Sequence, residues 1–212
     1  LALGGCPTVV AVDARSGHAF VTTRDDATLS ILVARSGALL HRVRVGVYPV
    51  ALLVDAHTER VFVANAAENT VSVIDGRTGT VRGTIAVGAD GVPAVGCANE
   101  GGRQGPCAAV VALTMDTRRG RVFALTHSGP GFHTAATDGR VSVLDAASGR
   151  VRRGVTVGLN PSAMAVDEAT GHLFIVNQAL DASPAGAAAL SGENAWGSVS
   201  YTHLRAHETG RN

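Results

Sequence analysis

The stretch Val61-Phe-Val-Ala-Asn65, continued after three residues by Asn69-Thr-Val-Ser-Val-Ile-Asp75, decides how the rest of the chain is read. Val61 and Val63 alternate with Phe62, and Val71 and Val73 alternate with Ser72. A period of two marks strands with two different faces and excludes a helix. β-branched residues fill both halves, as strands prefer. Working outward, 50–55, 60–64, 70–75 and 81–87 read as four strands. Between them, 56–59 and 76–79 carry the Gly, Thr and charged residues of hairpin turns.

The same pattern recurs. Asp55-Ala-His-Thr-Glu-Arg-Val-Phe62 has counterparts in Asp13-Ala-Arg-Ser-Gly-His-Ala-Phe20, Asp116-Thr-Arg-Arg-Gly-Arg-Val-Phe123 and Asp167-Glu-Ala-Thr-Gly-His-Leu-Phe174. Thr70-Val-Ser-Val-Ile-Asp75 has counterparts in Thr28-Leu-Ser-Ile-Leu32 and Arg140-Val-Ser-Val-Leu-Asp145. Units close at Val45-Gly46, Val87-Gly88 and Val157-Gly158. Phe20 and Phe62 are 42 residues apart, as are Gly37 and Gly79. Four strands in about 42 residues make a propeller blade. The expected fold is all-β: a β-propeller of about four blades with four antiparallel strands each, in units of about 7–46, 49–88, 108–158 and 161–200.

Val61-Phe-Val-Ala-Asn65 with Asn69-Thr-Val-Ser-Val-Ile-Asp75 resembles the repeat of the YVTN family of β-propellers. Leu173-Phe-Ile-Val-Asn177 repeats its first half, and Val122-Phe-Ala-Leu-Thr126 and Ala19-Phe-Val-Thr-Thr23 are looser copies. The resemblance implies a ring of about seven blades, of which this would be an incomplete part, and a bacterial or archaeal protein that is periplasmic, secreted or at the cell surface. Its motif residues build blades: Phe62 and Val63 are expected to pack between sheets, and Asn65 and Asp75 to settle turns. Leu3-Gly-Gly-Cys-Pro7 sits where Val45–Pro49 sits, which places the start of the chain at the end of a preceding blade. Residues 201–212 lose the alternation and resemble a translated sequencing-adapter read-through, so they are expected to form a tail outside the fold.

The composition fits this reading. Of 212 residues, 46% are hydrophobic and 17% charged, enough apolar material for a core and too little charge for a disordered chain. A net charge of +1 argues against a nucleic-acid surface. No apolar run approaches the ~20 residues of a membrane-spanning helix. All 18 basic residues are Arg, and there is no Lys.

Function is sought in the departures from the repeat. Gly88 and Asp116 are 28 residues apart where the other units have 9, so 89–107 is an insertion between blades. Two more lie between second and third strands: Phe123 to Val141 and Phe174 to Val199 span 18 and 25 residues against 9 in the second unit. In an up-and-down blade both kinds of connection emerge on one side, so all three should crowd one rim. Long loops on a rigid scaffold are where binding concentrates. The candidate binding rim comprises Glu100, Arg103 and Gln104; His127 and His133; and Asn177, Gln178, Asp181, Asn194 and Trp196, with Glu193 beside them.

Neither the spacing of His127 and His133 nor its Gly-Pro context matches a metal-ligand signature, and no metal site is expected. No cofactor or nucleophile motif is present. Asp25-Asp26 reads as a solvated acidic pair, and the aligned rim positions show no repeated acidic or histidine ring. Cys97 and Cys107 flank a Gly-rich loop, and either a disulfide or two free thiols fits; Cys6 is expected to be a small packed residue. The leading expectation is a non-enzymatic propeller that binds a protein or small-molecule ligand or serves as a scaffold. The alternatives are a lactonase-type hydrolase or redox-associated propeller with its site at the channel mouth, and a structural module of a longer surface protein.

Overall fold

The computed structural model describes residues 3–87, 96–98, 104–106, 108–128, 138–159, 161–177 and 198–202. Its strands are β1 (Pro7–Asp13), β2 (His18–Thr23), β3 (Thr28–Val33), β4 (Leu39–Arg44), β5 (Pro49–Asp55), β6 (Arg60–Asn65), β7 (Thr70–Asp75) and β8 (Val81–Ala86). They continue with β9 (Gly96–Ala98), β10 (Gln104–Pro106), β11 (Ala108–Asp116), β12 (Arg121–Ser128), β13 (Asp138–Asp145), β14 (Val151–Leu159), β15 (Pro161–Asp167), β16 (His172–Asn177) and β17 (Ser198–Thr202). Each of β1–β4, β5–β8 and β11–β14 is a four-stranded antiparallel meander, and β15–β17 is a three-stranded one. The fourth blade thus shows three strands rather than four among the described residues. Its last strand also runs past the expected boundary at 200: Tyr201 and Thr202 pair with Phe174 and Leu173.

The period of two becomes the packing between blades. Val61 and Val63 join Phe20, Leu29 and Ile31 of the first blade in one buried cluster. Phe62 and Ala64, on the opposite face of the same strand, join Val110, Val122, Ala124 and Leu144 of the third. Phe123 and Leu125 join Leu173 and Ile175 of the fourth. The second strands of the second and third blades, β6 and β12, therefore each feed two interfaces, and the hydrophobic effect stacks the sheets face to face as propeller blades. The first strands β1, β5, β11 and β15 neighbour one another in sequence order, and the fourth strands lie outermost.

Irregularities repeat as well. The first and second strands of every blade slip register near the start of the pair, at Pro7/Val9, Pro49/Ala51, Val110/Ala112 and Pro161/Ala163. In three of these the strand opens on Pro, a position where a missing N–H does little harm. Asp13, Asp55, Asp116 and Asp167 end the first strands, and each accepts a backbone N–H from the turn that follows. That turn places Gly17, Gly120 and Gly171 at positive φ in three blades; in the second blade Glu59 takes the same conformation, φ 56°.

Arginine ties neighbouring blades together. Arg15 donates to the Ala56 carbonyl, Arg60 to the carbonyls of Ala146 and Ala147, and Arg119 to that of Glu168. A guanidinium offers five donors in a planar fork, which suits paired carbonyls better than an ammonium does.

Candidate functional site

The two rims are distinguished by backbone bonds. Val45 N–H donates to the Ala27 carbonyl and Val87 N–H to the Asn69 carbonyl, so each fourth strand ends beside the turn between second and third strands. The inserted segments open from strand ends of these same two kinds. On the opposite rim, Ala34, Gly76 and Ala146 N–H groups donate to Gly17, Glu59 and Gly120 carbonyls, joining the short hairpin turns.

The insertion-bearing rim is built around interblade glycines. A Cβ on Gly46 would stand 2.6 Å from Asn65 Cγ and closer still to the Glu68 carboxylate. On Gly158 it would stand 2.8 Å from Asn177 Cγ. The Val-Gly that closes a unit is therefore Gly because the Asn ending the next blade's second strand lies against it. Asn65 is fully buried and its Nδ2 donates to Thr70 Oγ1 at 3.1 Å and Ser72 Oγ at 2.9 Å. Where a turn-settling role was expected, Asn65 thus ties the end of β6 to side chains of β7. In the first blade Asp26 holds the place of Glu68: Gly5 N–H donates to its Oδ2 at 3.1 Å, and a Cβ on Gly4 would collide with that oxygen.

Asp26 and Glu68 thus give the first two units an acidic group over the interblade glycine; the third and fourth have Gly129 and Leu180 at the same spacing, so the position does not make a ring. Asp26 is not merely solvated, since it binds the backbone of the preceding segment. The signal was the spacing: each carboxylate lies three residues after the end of the second strand, Thr23 or Asn65. Beside it, the Arg24 guanidinium lies 5.2 Å over the Tyr48 ring, pairs with Asp25 at 3.1 Å and donates to Cys6 Sγ at 3.3 Å. Cys6 is exposed rather than packed, because its residue takes the left-handed turn conformation, φ 49°, that Tyr48 takes one blade later.

Two residues of the expected rim come to one junction. His127 lies near the end of β12 and is 8% exposed, and burial pushes its pKa down, so the ring is neutral at pH 7. It pairs with Gly139, where a Cβ would stand 2.6 Å from Pro161 Cδ, and Pro161 pairs with the buried Asn177. His127 and Asn177 therefore flank the seam between the third and fourth blades. Gln104 lies on β10 opposite Ala98, and Cys97 lies on β9 opposite Gly105. The first insertion thus contains a small hairpin. Glu100, Arg103, Cys107, His133, Gln178, Asp181, Glu193, Asn194 and Trp196 lie outside the described residues. Among the described residues no group of three or more His, Cys, Asp or Glu could hold a metal ion, and no helix is long and apolar enough to cross a membrane.

Comparison with solved structures agrees with the architecture. The chain is similar to the WD40 domain of Toxoplasma gondii coronin, with a TM-score of 0.58 and 13% identity over 81% of this chain and 40% of that one. It also matches Kuenenia stuttgartiensis hydrazine synthase at a TM-score of 0.45 and 16% identity, over 93% of this chain and 66% of that one. The chain thus spans less than two thirds of the length of either. At 13% identity the likeness to the coronin domain concerns the β-propeller fold alone. No protein-family model and no curated protein matches the sequence.

Proposed function

We propose that this chain is part of a non-enzymatic β-propeller that binds a protein or small-molecule ligand, or scaffolds it, through the insertion-bearing rim. One observation carries the reading: the strand ends that bear long insertions share a single rim, while the opposite rim keeps short hairpin turns. Arg24, Asp26, Tyr48 and Glu68 give that rim charged and aromatic groups on the short connections between strands, and such groups orient ligands. The test is a variant in which 89–107 is replaced by the Val-Tyr-Pro linker found at 47–49. Glycans and peptides captured by the intact chain on arrays should be lost by this variant while its β-sheet circular dichroism is kept. Unchanged capture, or hydrolysis of lactones above blank, overturns the reading.

The resemblance to the YVTN family supports a bacterial, extracytoplasmic setting as part of the same proposal. A disulfide between Cys97 and Cys107 would accord with it, since such bonds persist in oxidising compartments. Alkylation of the unreduced protein should then titrate Cys6 alone; three reactive thiols refute the bridge.

A further inference from the structure

We propose that the cleft between the second and third blades, on the side away from the insertions, is a docking groove for a short, extended acidic peptide. The cleft has a volume of about 270 Å³ and runs along β8 at Arg82, Gly83, Thr84 and Ile85, facing the 147–149 turn of the third blade. Four consecutive residues of β8 line it together with Val73 of β7 and Arg60 of β6, so the cleft covers the sheet face that ends at this outer strand. β8 is the outermost strand of its blade and, among the described residues, pairs only with β7. Its outer N–H and C=O groups can accept another strand, the mode in which backbone bonds hold an extended peptide and pockets select its side chains.

The cleft exists because of one residue. In the junction between the first and second blades, His41 presses against the hairpin glycine: a Cβ on Gly79 would stand 2.9 Å from His41 Cβ. Strand register makes Gly83 the counterpart of His41, since they pair with Val73 and Ile31 at matching positions. Nothing lies within 4 Å of where a Gly83 side chain would begin, and Gly149 is met only by Ile85 and Val73, at 3.3 and 3.9 Å. A small or aliphatic side chain fits this hollow, on an apolar floor of Val73 and Ile85.

Charge selects the peptide. The lining holds two guanidinium groups, Arg60 and Arg82, and no carboxylate. Arg60 is anchored by the carbonyls of Ala146 and Ala147, and among the described residues it forms no ion pair. Arg82 binds Asp75 through Nη2, one of its three nitrogens. Carboxylates on the peptide flanking the inserted side chain would meet these donors in charge-assisted bonds.

The experiment is fluorescence anisotropy of labelled Glu-Val-Asp-Val-Glu titrated with the 212-residue chain, with Lys-Val-Lys-Val-Lys as counterpart. The acidic peptide should bind saturably and the lysine peptide at least tenfold more weakly. Gly83→His, which fills the hollow as His41 does one blade earlier, and Arg82→Glu should each weaken binding at least tenfold with unchanged circular dichroism. Free glutamate at equal carboxylate concentration should not displace the peptide. Absent saturation, equal binding of the two peptides, full binding by either variant, or displacement by glutamate overturns the proposal. The variant lacking 89–107 should bind the peptide normally, so this groove and the insertion-bearing rim stand or fall separately.

Discussion

At the rim end of the second blade, Asn65 Nδ2 reaches both Thr70 Oγ1 and Ser72 Oγ. At the same three positions the first blade has Thr23, Thr28 and Ser30, and the hydroxyls of all three are buried without a partner. The backbones correspond strand for strand, and Phe20 and Phe62 are equally buried, at 1% and 0% exposure. The blades diverge again at the hairpin between third and fourth strands. There Asp75 binds Arg82, whereas the first blade has Val33 and Leu40. The lesson is that the apolar lattice builds a blade by itself. The polar groups are tuned blade by blade, because an amide spans a gap that a hydroxyl, shorter by one bonded group, does not.

The largest effect should be shared by both blades. Phe20→Ala and Phe62→Ala each remove a ring packed between sheets and should cost about 3–5 kcal/mol in denaturant unfolding. If one of them is nearly neutral, the blades do not share a lattice. Next comes the polar contrast. Asn65→Ala should cost about 1–3 kcal/mol, because it strands Thr70 and Ser72 in a buried site. Thr23→Ala, which removes a hydroxyl already unpartnered, should be within about 0.5 kcal/mol of neutral. Equal costs would erase the distinction. Conversely, Thr23→Asn should raise stability by about 1 kcal/mol by giving Thr28 and Ser30 a donor; a loss would show that the first blade lacks room for the amide.

The smallest effect is electrostatic. Arg82, with backbone N–H groups of the turn, holds the Asp75 carboxyl well below the usual carboxylate range, and Arg152 does the same for Asp145. A depressed folded-state pKa adds stability above the unfolded value of about 3.9 and loses it as pH falls through the folded value. Both arginines are more than half exposed, so each pair is worth at most about 1 kcal/mol. Asp75→Asn should lower the melting temperature slightly at pH 7 and converge with wild type in strong acid. A gap that widens on acidification contradicts this pairing.

Much of the architecture was legible beforehand. The strands of the second unit fall within a residue of their expected bounds, since a period of two and hairpin turns are local properties that 6–7 residues suffice to display. The repeated Asp13, Asp55, Asp116 and Asp167 marked turns for the same reason. Less of the rim was legible. Asp26 and Glu68 were hidden because their role depends on Gly4 and Gly46, some 22 residues earlier in the chain and brought near only when blades stack. Cys6 looked like a core residue because a small thiol carries no sign of the left-handed turn that turns it outward.

Composition, period and repeat by themselves determined that this chain forms stacked four-stranded units, because alternating apolar residues can be buried only by another sheet on each face. The tertiary structure alone decided what lies between the units. Arginine forks on neighbouring carbonyls, carboxylates over interblade glycines and the hollow above Gly83 all depend on distances across a junction. A residue's neighbours in sequence do not set those distances.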